Sequence, residues 1–239
     1  MVRTIICCVS VVIIFLIISP FGFIAMILSL PGLRRIMTLF AYCIVQKASW
    51  VMIKIMGCTM IVQGREHIPP EGGVCFVCNH SSIVDILILL ANTGRPIGFI
   101  AKKELLKVPL LNLWIFVLGG LFIDRNNLRK AMKTINTGIT RIKSGGTMLI
   151  FPEGSRSRGR GLLPFRPGAL KLATQSESVI VPVAIKGTYA IFEKNKRVTA
   201  GPVKLTFCAP ISTTDIPPSD RKQILADRIY GVIKEALET

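Results

Sequence analysis

The run Cys78-Asn79-His80-Ser81-Ser82-Ile83-Val84-Asp85 gives the first hold on the architecture. Residues 74–77 before it are apolar and few, as in a buried strand. Residues 83–90 after it are mostly apolar and read as a helix. Ser81 and Ser82, between the two, are both good helix N-caps. His80 is therefore expected at the mouth of a strand-to-helix turn. Residues five apart on a continuous helix point about 140° away from each other. His80 and Asp85 can pair only if His80 lies outside the helix and folds back over its first turn. In that geometry the carboxylate takes the proton of one ring nitrogen, fixes the tautomer and leaves the other nitrogen free as a general base. A structural reading stands beside this one. Ser82-x-x-Asp85 has the spacing of a capping box, with Asp85 near the positive end of the helix dipole.

Outward from this turn, short β-rich runs alternate with helical ones. Strands are expected at 59–63, 73–78, 98–101, 120–124, 147–151, 179–185 and 203–208. Helices are expected at 82–92, 107–118, 128–143, 168–175 and 220–237. The 128–143 helix has Asn127 as its cap and Gly145-Gly146 as its stop. This alternation predicts an α/β fold with a mixed, mostly parallel sheet flanked by helices. In such sheets ligands gather at the carboxyl ends of strands. Lys102, Arg125 and the run from Pro152 to Arg158 all follow predicted strands, as His80 does.

Residues 5–30 carry no charge over 26 positions, enough to span a bilayer. Pro20 and Gly22 are expected to kink or interrupt this stretch. Pro31-Gly32 reads as a turn, and residues 36–62 form a second apolar stretch. Lys47 and Lys54 lie seven apart on one face with Trp50 between them, the pattern of an interfacial helix. We therefore divide the chain into a membrane-embedded helical hairpin at 1–60, spanning or lying in one leaflet, and an α/β domain at 61–239.

The 30 basic and 13 acidic residues give a net charge of +17, which predicts an anionic partner. No acidic residue precedes Glu66, and residues 95–171 hold 15 basic and 3 acidic residues. No aromatic stacking platform or basic recognition helix of the nucleic-acid-binding kind is present. Seven scattered cysteines do not form a disulfide framework. Cys75-x-x-Cys78 lacks a second such pair and a pair of histidine ligands, so no metal site is expected.

Phe151-Pro152-Glu153-Gly154-Ser155-Arg156-Ser157 is the second informative stretch. Gly154 allows backbone N–H groups to approach a ligand closely. Ser155 offers a hydroxyl, and Arg156 a planar fork suited to phosphate. Glu153 is fitted to hold an arginine or a substrate hydroxyl. Residues 154–161 also read as a merely flexible basic loop, closed by Phe165-Arg166-Pro167-Gly168.

Taken together, these motifs resemble the glycerolipid acyltransferase superfamily, of the PlsC type that acylates 1-acyl-sn-glycerol 3-phosphate. Asn79 to Asp85 matches its NHxxxxD block. Gly120-Leu121-Phe122-Ile123-Asp124-Arg125 is similar to its second block. Phe151 to Ser157 is similar to its FPEGTRS block, with Ser155 in place of threonine. Val179-Ile180-Val181-Pro182-Val183-Ala184 resembles the fourth. The four blocks occur in the family's order and span about residues 60 to 210.

The resemblance implies His80 and Asp85 as a catalytic dyad that deprotonates lysophosphatidic acid for attack on the thioester of an acyl-CoA or acyl-carrier protein. No acyl-enzyme and no further cofactor are implied. It points to Arg125, Glu153, Gly154, Ser155 and Arg156 for the head group, with Lys102 a candidate for the oxyanion or a phosphate. It also implies contact with membrane phospholipids, and a bacterial inner-membrane enzyme whose site faces the cytoplasm. Acylation of glycerol 3-phosphate or another lysolipid is the nearest rival reading. A non-catalytic basic module that binds anionic lipid is the rival from another class. That module leaves the His–Asp turn unexplained.

Overall fold

A computed structural model of the chain describes residues 1–30, 32–166, 168–213 and 221–239. Pro31 of the predicted turn, Pro167 of the loop closure and Asp220 at the start of the last predicted helix lie outside the described residues.

Two long helices open the chain, α1 (Val2–Ile27) and α2 (Arg34–Met56). Both are long and apolar enough to cross a membrane by length and composition. Contrary to expectation, Pro20 and Gly22 do not interrupt α1, which runs through both. At Gly22 the helix presses on α4 (Leu111–Val117). An added Cβ there would lie 3.1 Å from Leu113 and Trp114 side-chain atoms. The outer face of α1 leaves Ile5, Val12, Leu16, Ile17 and Ile27 exposed. α2 divides its faces differently. Lys47 and Lys54 are exposed, while Tyr42, Val45, Met52 and Ile53 are buried against the rest of the fold.

The remaining elements are β1 (Cys58–Gln63), β2 (Val74–Cys78), α3 (Val84–Asn92), β3 (Gly98–Lys102), β4 (Leu121–Ile123), α5 (Leu128–Lys143), β5 (Thr147–Ile150), α6 (Lys171–Gln175), β6 (Val179–Lys186), α7 (Thr188–Ile191), β7 (Gly201–Phe207) and α8 (Arg221–Glu238). Seven strands form one sheet in the order β1-β7-β6-β2-β5-β3-β4. Among the described strand pairs only β6–β7 is antiparallel, besides an isolated antiparallel bridge between Ile180 and Ile211. The sheet is thus mixed and mostly parallel, as predicted.

Its two faces are covered by different helices. Val74, Phe76 and Cys78 point into a core shared with α1 to α4. Cys75 and Val77 point into a second core with α6 and α8. The Cys75 and Cys78 thiols therefore lie on opposite faces and cannot share a ligand. Burial pushes both thiols above their ordinary range.

Several boundaries differ from expectation for local reasons. The 107–118 helix begins only at Leu111, because Pro109 biases Val108 to extended backbone and Leu110 takes a φ of 63°. Residues 168–170 are a turn, since Gly168 adopts a φ of 80° and α6 starts at Lys171. Helix α5 keeps its predicted bounds, and the Asn127 side chain accepts the Lys130 N–H at 3.0 Å.

Candidate active site

Strands β2 to β6 are mutually parallel, so their carboxyl ends share one rim. Every candidate residue follows one of them closely. His80 follows β2, Lys102 ends β3, Arg125 follows β4, and the run from Glu153 to Arg156 follows β5.

His80 does lie outside α3 and folds back over its start. Its Nδ1 is 2.8 Å from Asp85 Oδ2. A carboxylate only accepts here, so Nδ1 carries the hydrogen and Nε2 holds the free lone pair. The imidazole stacks on Phe151, with ring centroids 4.0 Å apart and an interplanar angle of 19°. Asn79 fixes the strand end behind it. Its side chain donates to the Ile185 carbonyl at 2.9 Å and accepts the Ile185 N–H at 2.8 Å.

Asp85 is fully buried. Its Oδ2 also accepts the N–H groups of Ser81 and Ser82, at 2.8 and 2.9 Å. The capping and orienting readings of Asp85 therefore coincide in one carboxylate. Ser82 is not the N-cap. Its hydroxyl accepts the Val84 N–H at 3.0 Å, and the helix starts one residue later than Ser82 would place it, with Ile83 in the cap position.

The loop after β5 departs from expectation at one residue. Glu153, read as a ligand-holding carboxylate, is buried and faces the protein. Its Oε1 accepts the His80 N–H at 2.6 Å and its Oε2 the Leu163 N–H at 3.0 Å. Burial raises its pKa, and these two hydrogen bonds oppose the rise. Gly154 donates its own N–H to the Phe151 carbonyl at 3.0 Å. What glycine supplies is a φ of 68° and room for Arg166, whose Cδ would lie 2.6 Å from an added Cβ.

The cations stand around this frame. Arg125 donates through Nη1 to the Gly154 carbonyl at 2.5 Å. Arg156 donates through Nη1 to Glu193 Oε1 at 2.9 Å, and its side chain remains 34% exposed. Ser155 and Lys102 are exposed. The neighbouring Lys103 is tied to Asp124 at 2.9 Å, which pulls the Asp124 carboxyl below its ordinary range.

Sequence reasoning missed the residues after β6. Thr188 Oγ1 donates to Asp85 Oδ1 at 2.5 Å, and Ser81 Oγ lies 2.8 Å from the same hydroxyl. Glu193 Oε1 accepts the Ile83 N–H at 2.8 Å besides Arg156. The strand-end rule that located the other clusters would have found this one had it been carried on to β6. The second histidine, His67, donates to the Phe207 carbonyl at 2.8 Å. Among the described residues, no group of three or more His, Cys, Asp or Glu side chains is placed to hold a metal ion.

The model of a family described as acyltransferase matches residues 59–186. The chain is 32% identical over 145 residues to a 1-acyl-sn-glycerol-3-phosphate acyltransferase of Borreliella burgdorferi, covering 61% of this chain and 58% of that protein. It is 34% identical over 203 residues to a probable 1-acyl-sn-glycerol-3-phosphate acyltransferase of Mycoplasma genitalium, covering 78% and 73%. The crystal structure of PlsC, the 1-acyl-sn-glycerophosphate acyltransferase of Thermotoga maritima, matches with a TM-score of 0.81. That match has 26% identity and covers 99% of this chain and 95% of that one. The chain spans somewhat over half the length of the first curated relatives it matches.

Proposed function

The chain belongs to the acyltransferase family, and from that premise we propose that it moves an acyl chain from a thioester to the free hydroxyl of 1-acyl-sn-glycerol 3-phosphate, giving phosphatidic acid. The observation that carries the reading is the His80–Asp85 pair, with its ring nitrogen Nε2 free, on a rim shared with Arg125 and Arg156.

His80 Nε2 takes the proton of the acceptor hydroxyl, and the oxygen attacks the thioester carbonyl. The tetrahedral intermediate collapses with cleavage of the C–S bond, and the imidazolium returns its proton to the departing thiolate. Asp85 stabilises the imidazolium between the two steps. No enzyme nucleophile is needed. The thiol nearest in sequence, Cys78, is buried and held protonated by that burial.

Arg156 and Arg125 receive the phosphate, and exposed Ser155 adds a hydroxyl. Lys102 faces the developing oxyanion or a second phosphate. Glu153 and Gly154 act as frame for these groups. The donor is an acyl-CoA or an acyl-carrier protein. The hairpin holds the rim at the surface of a bacterial inner membrane, on the cytoplasmic side.

The test is acyl transfer by purified protein in detergent from a labelled thioester. Lysophosphatidic acid, glycerol 3-phosphate and a neutral lysolipid are offered side by side, with His80→Ala as control. Phosphatidic acid from lysophosphatidic acid, lost in His80→Ala, is the expected result. Transfer to another acceptor replaces the substrate assignment. Full turnover by His80→Ala removes the general base.

A further inference from the structure

Between β6 and β7 the chain makes two sets of contacts that no local need explains. At one end, Thr188 is fully buried and its hydroxyl has a single proton. Asp85 Oδ1 can only accept, so that proton is committed to the carboxylate, and Ser81 Oγ must donate to Thr188 in turn. This gives Asp85 four donors: His80, the N–H groups of Ser81 and Ser82, and Thr188. Three of them lie on Oδ2. Among the described residues Thr188 alone engages Oδ1, so it holds the second edge of the carboxylate plane that the three donors on Oδ2 hold by the first.

At the other end, Glu193 Oε1 bridges Arg156 Nη1 and the Ile83 N–H. The side chain is 9% exposed, and Oε2 is buried without a hydrogen-bond partner among the described residues. Burying one carboxylate oxygen unpaired is unfavourable. The sequence tolerates it at a side chain that joins a loop arginine to the first turn of α3.

We propose that the segment from Thr188 to Glu193 is a brace that positions both ends of the reaction centre. Thr188 holds the Asp85 carboxylate in the plane that aims His80. Glu193 holds the Arg156 fork toward the acceptor phosphate and ties it to the helix that carries Asp85. Both are positioning residues, acting through Asp85 and Arg156. The inference rests on the functional reading above and assigns separate kinetic duties to the two ends.

The experiment uses full-length protein in mixed micelles, with acceptor varied at saturating thioester and folding followed by thermal melting. Thr188→Val is expected to lower kcat about tenfold or more while acceptor KM stays within about twofold, and Thr188→Ser to recover most of kcat. Glu193→Gln keeps a carbonyl for Ile83 and removes the charge. It is expected to raise acceptor KM about three- to tenfold with little change in kcat.

Thr188→Val at wild-type kcat overturns the inference, as does equal loss in Thr188→Ser and Thr188→Val. So does a Glu193→Gln variant that loses kcat and keeps its KM. His80→Ala separates the two levels. If it turns over normally, the reading of the site fails. If it is inactive while Thr188→Val keeps the wild-type kcat, only the brace fails.

Discussion

The backbone N–H of His80 donates a 2.6 Å hydrogen bond to Oε1 of Glu153, a residue 73 positions later in the chain. The carboxylate thus grips the main chain of the base while leaving its ring to Asp85. Its second oxygen holds Leu163, and the Ser157 N–H donates to the His80 carbonyl at 2.7 Å. Two loops are in this way locked together around the imidazole.

Glu153→Gln tests that lock. The amide nitrogen must face one of two backbone donors, leaving a buried N–H unsatisfied at a cost of about 1–3 kcal/mol. At about 2–4 °C per kcal/mol for a domain of this size, the melting temperature should fall by several degrees. Activity should fall as well, although the substituted residue touches no substrate.

The same residue sets a pH dependence. Burial holds the Glu153 carboxyl above its unfolded value, so the native state binds this proton more tightly than the unfolded state does. The linked stability is present below the unfolded pKa and is lost as pH rises through the folded pKa. The melting temperature of wild type relative to Glu153→Gln should therefore rise on acidification through that window. A constant difference would show that the carboxyl is not perturbed.

Asp85→Asn keeps the shape of the dyad and replaces one of the two acceptor oxygens by a donor. An amide NH₂ cannot receive His80, Ser81 and Ser82 together with Thr188. A loss of about 10²–10⁴ in kcat is expected, because His80 stays in place but loses the carboxylate that orients it and stabilises its imidazolium. Steady-state kinetics with lysophosphatidic acid as acceptor measures it.

Arg156→Lys keeps the charge and loses the planar fork. Acceptor KM should rise nearly as much as in Arg156→Ala, where a partly exposed charge-assisted contact would be worth about 1.5–3 kcal/mol. A lysine variant with wild-type KM would show that only charge matters at this position.

Gly154→Ala should destabilise the protein by about 1–2 kcal/mol from its left-handed backbone alone. The crowding with Arg166 adds to this. Thermal melting checks the total, and Arg166→Ala in the same chain should relieve the steric share.

What the sequence made visible was local chemistry. The ends of α5 are readable because an asparagine cap and a glycine pair mark them within a few residues. The His80–Asp85 pairing follows from helical geometry and a five-residue spacing. The first membrane-like helix follows from an uncharged run, and the second from an apolar stretch with two lysines on one face.

What stayed hidden depends on distant parts of the chain. Helix α7 has four residues and no periodicity to detect. Thr188 reaches Asp85 across 103 positions, and Arg156 reaches Glu193 across 37. Glu153 looked like a ligand residue because acids beside arginines in loops usually face solvent. Its burial became evident only once β2 and β5 were placed side by side.

The contact between Arg156 and Glu193 separates attraction from discrimination. Taken as a unit the pair is electrically neutral, so at a distance it draws no anion toward the rim. Long-range steering falls to the unpaired cations of the 95–171 region, and salt screens it within about 10 Å. Arg156 acts only at contact range, where the direction of its remaining N–H groups matters more than its charge. Ionic strength should thus govern how fast an anionic lipid arrives, while the angle of one guanidinium governs which lipid stays.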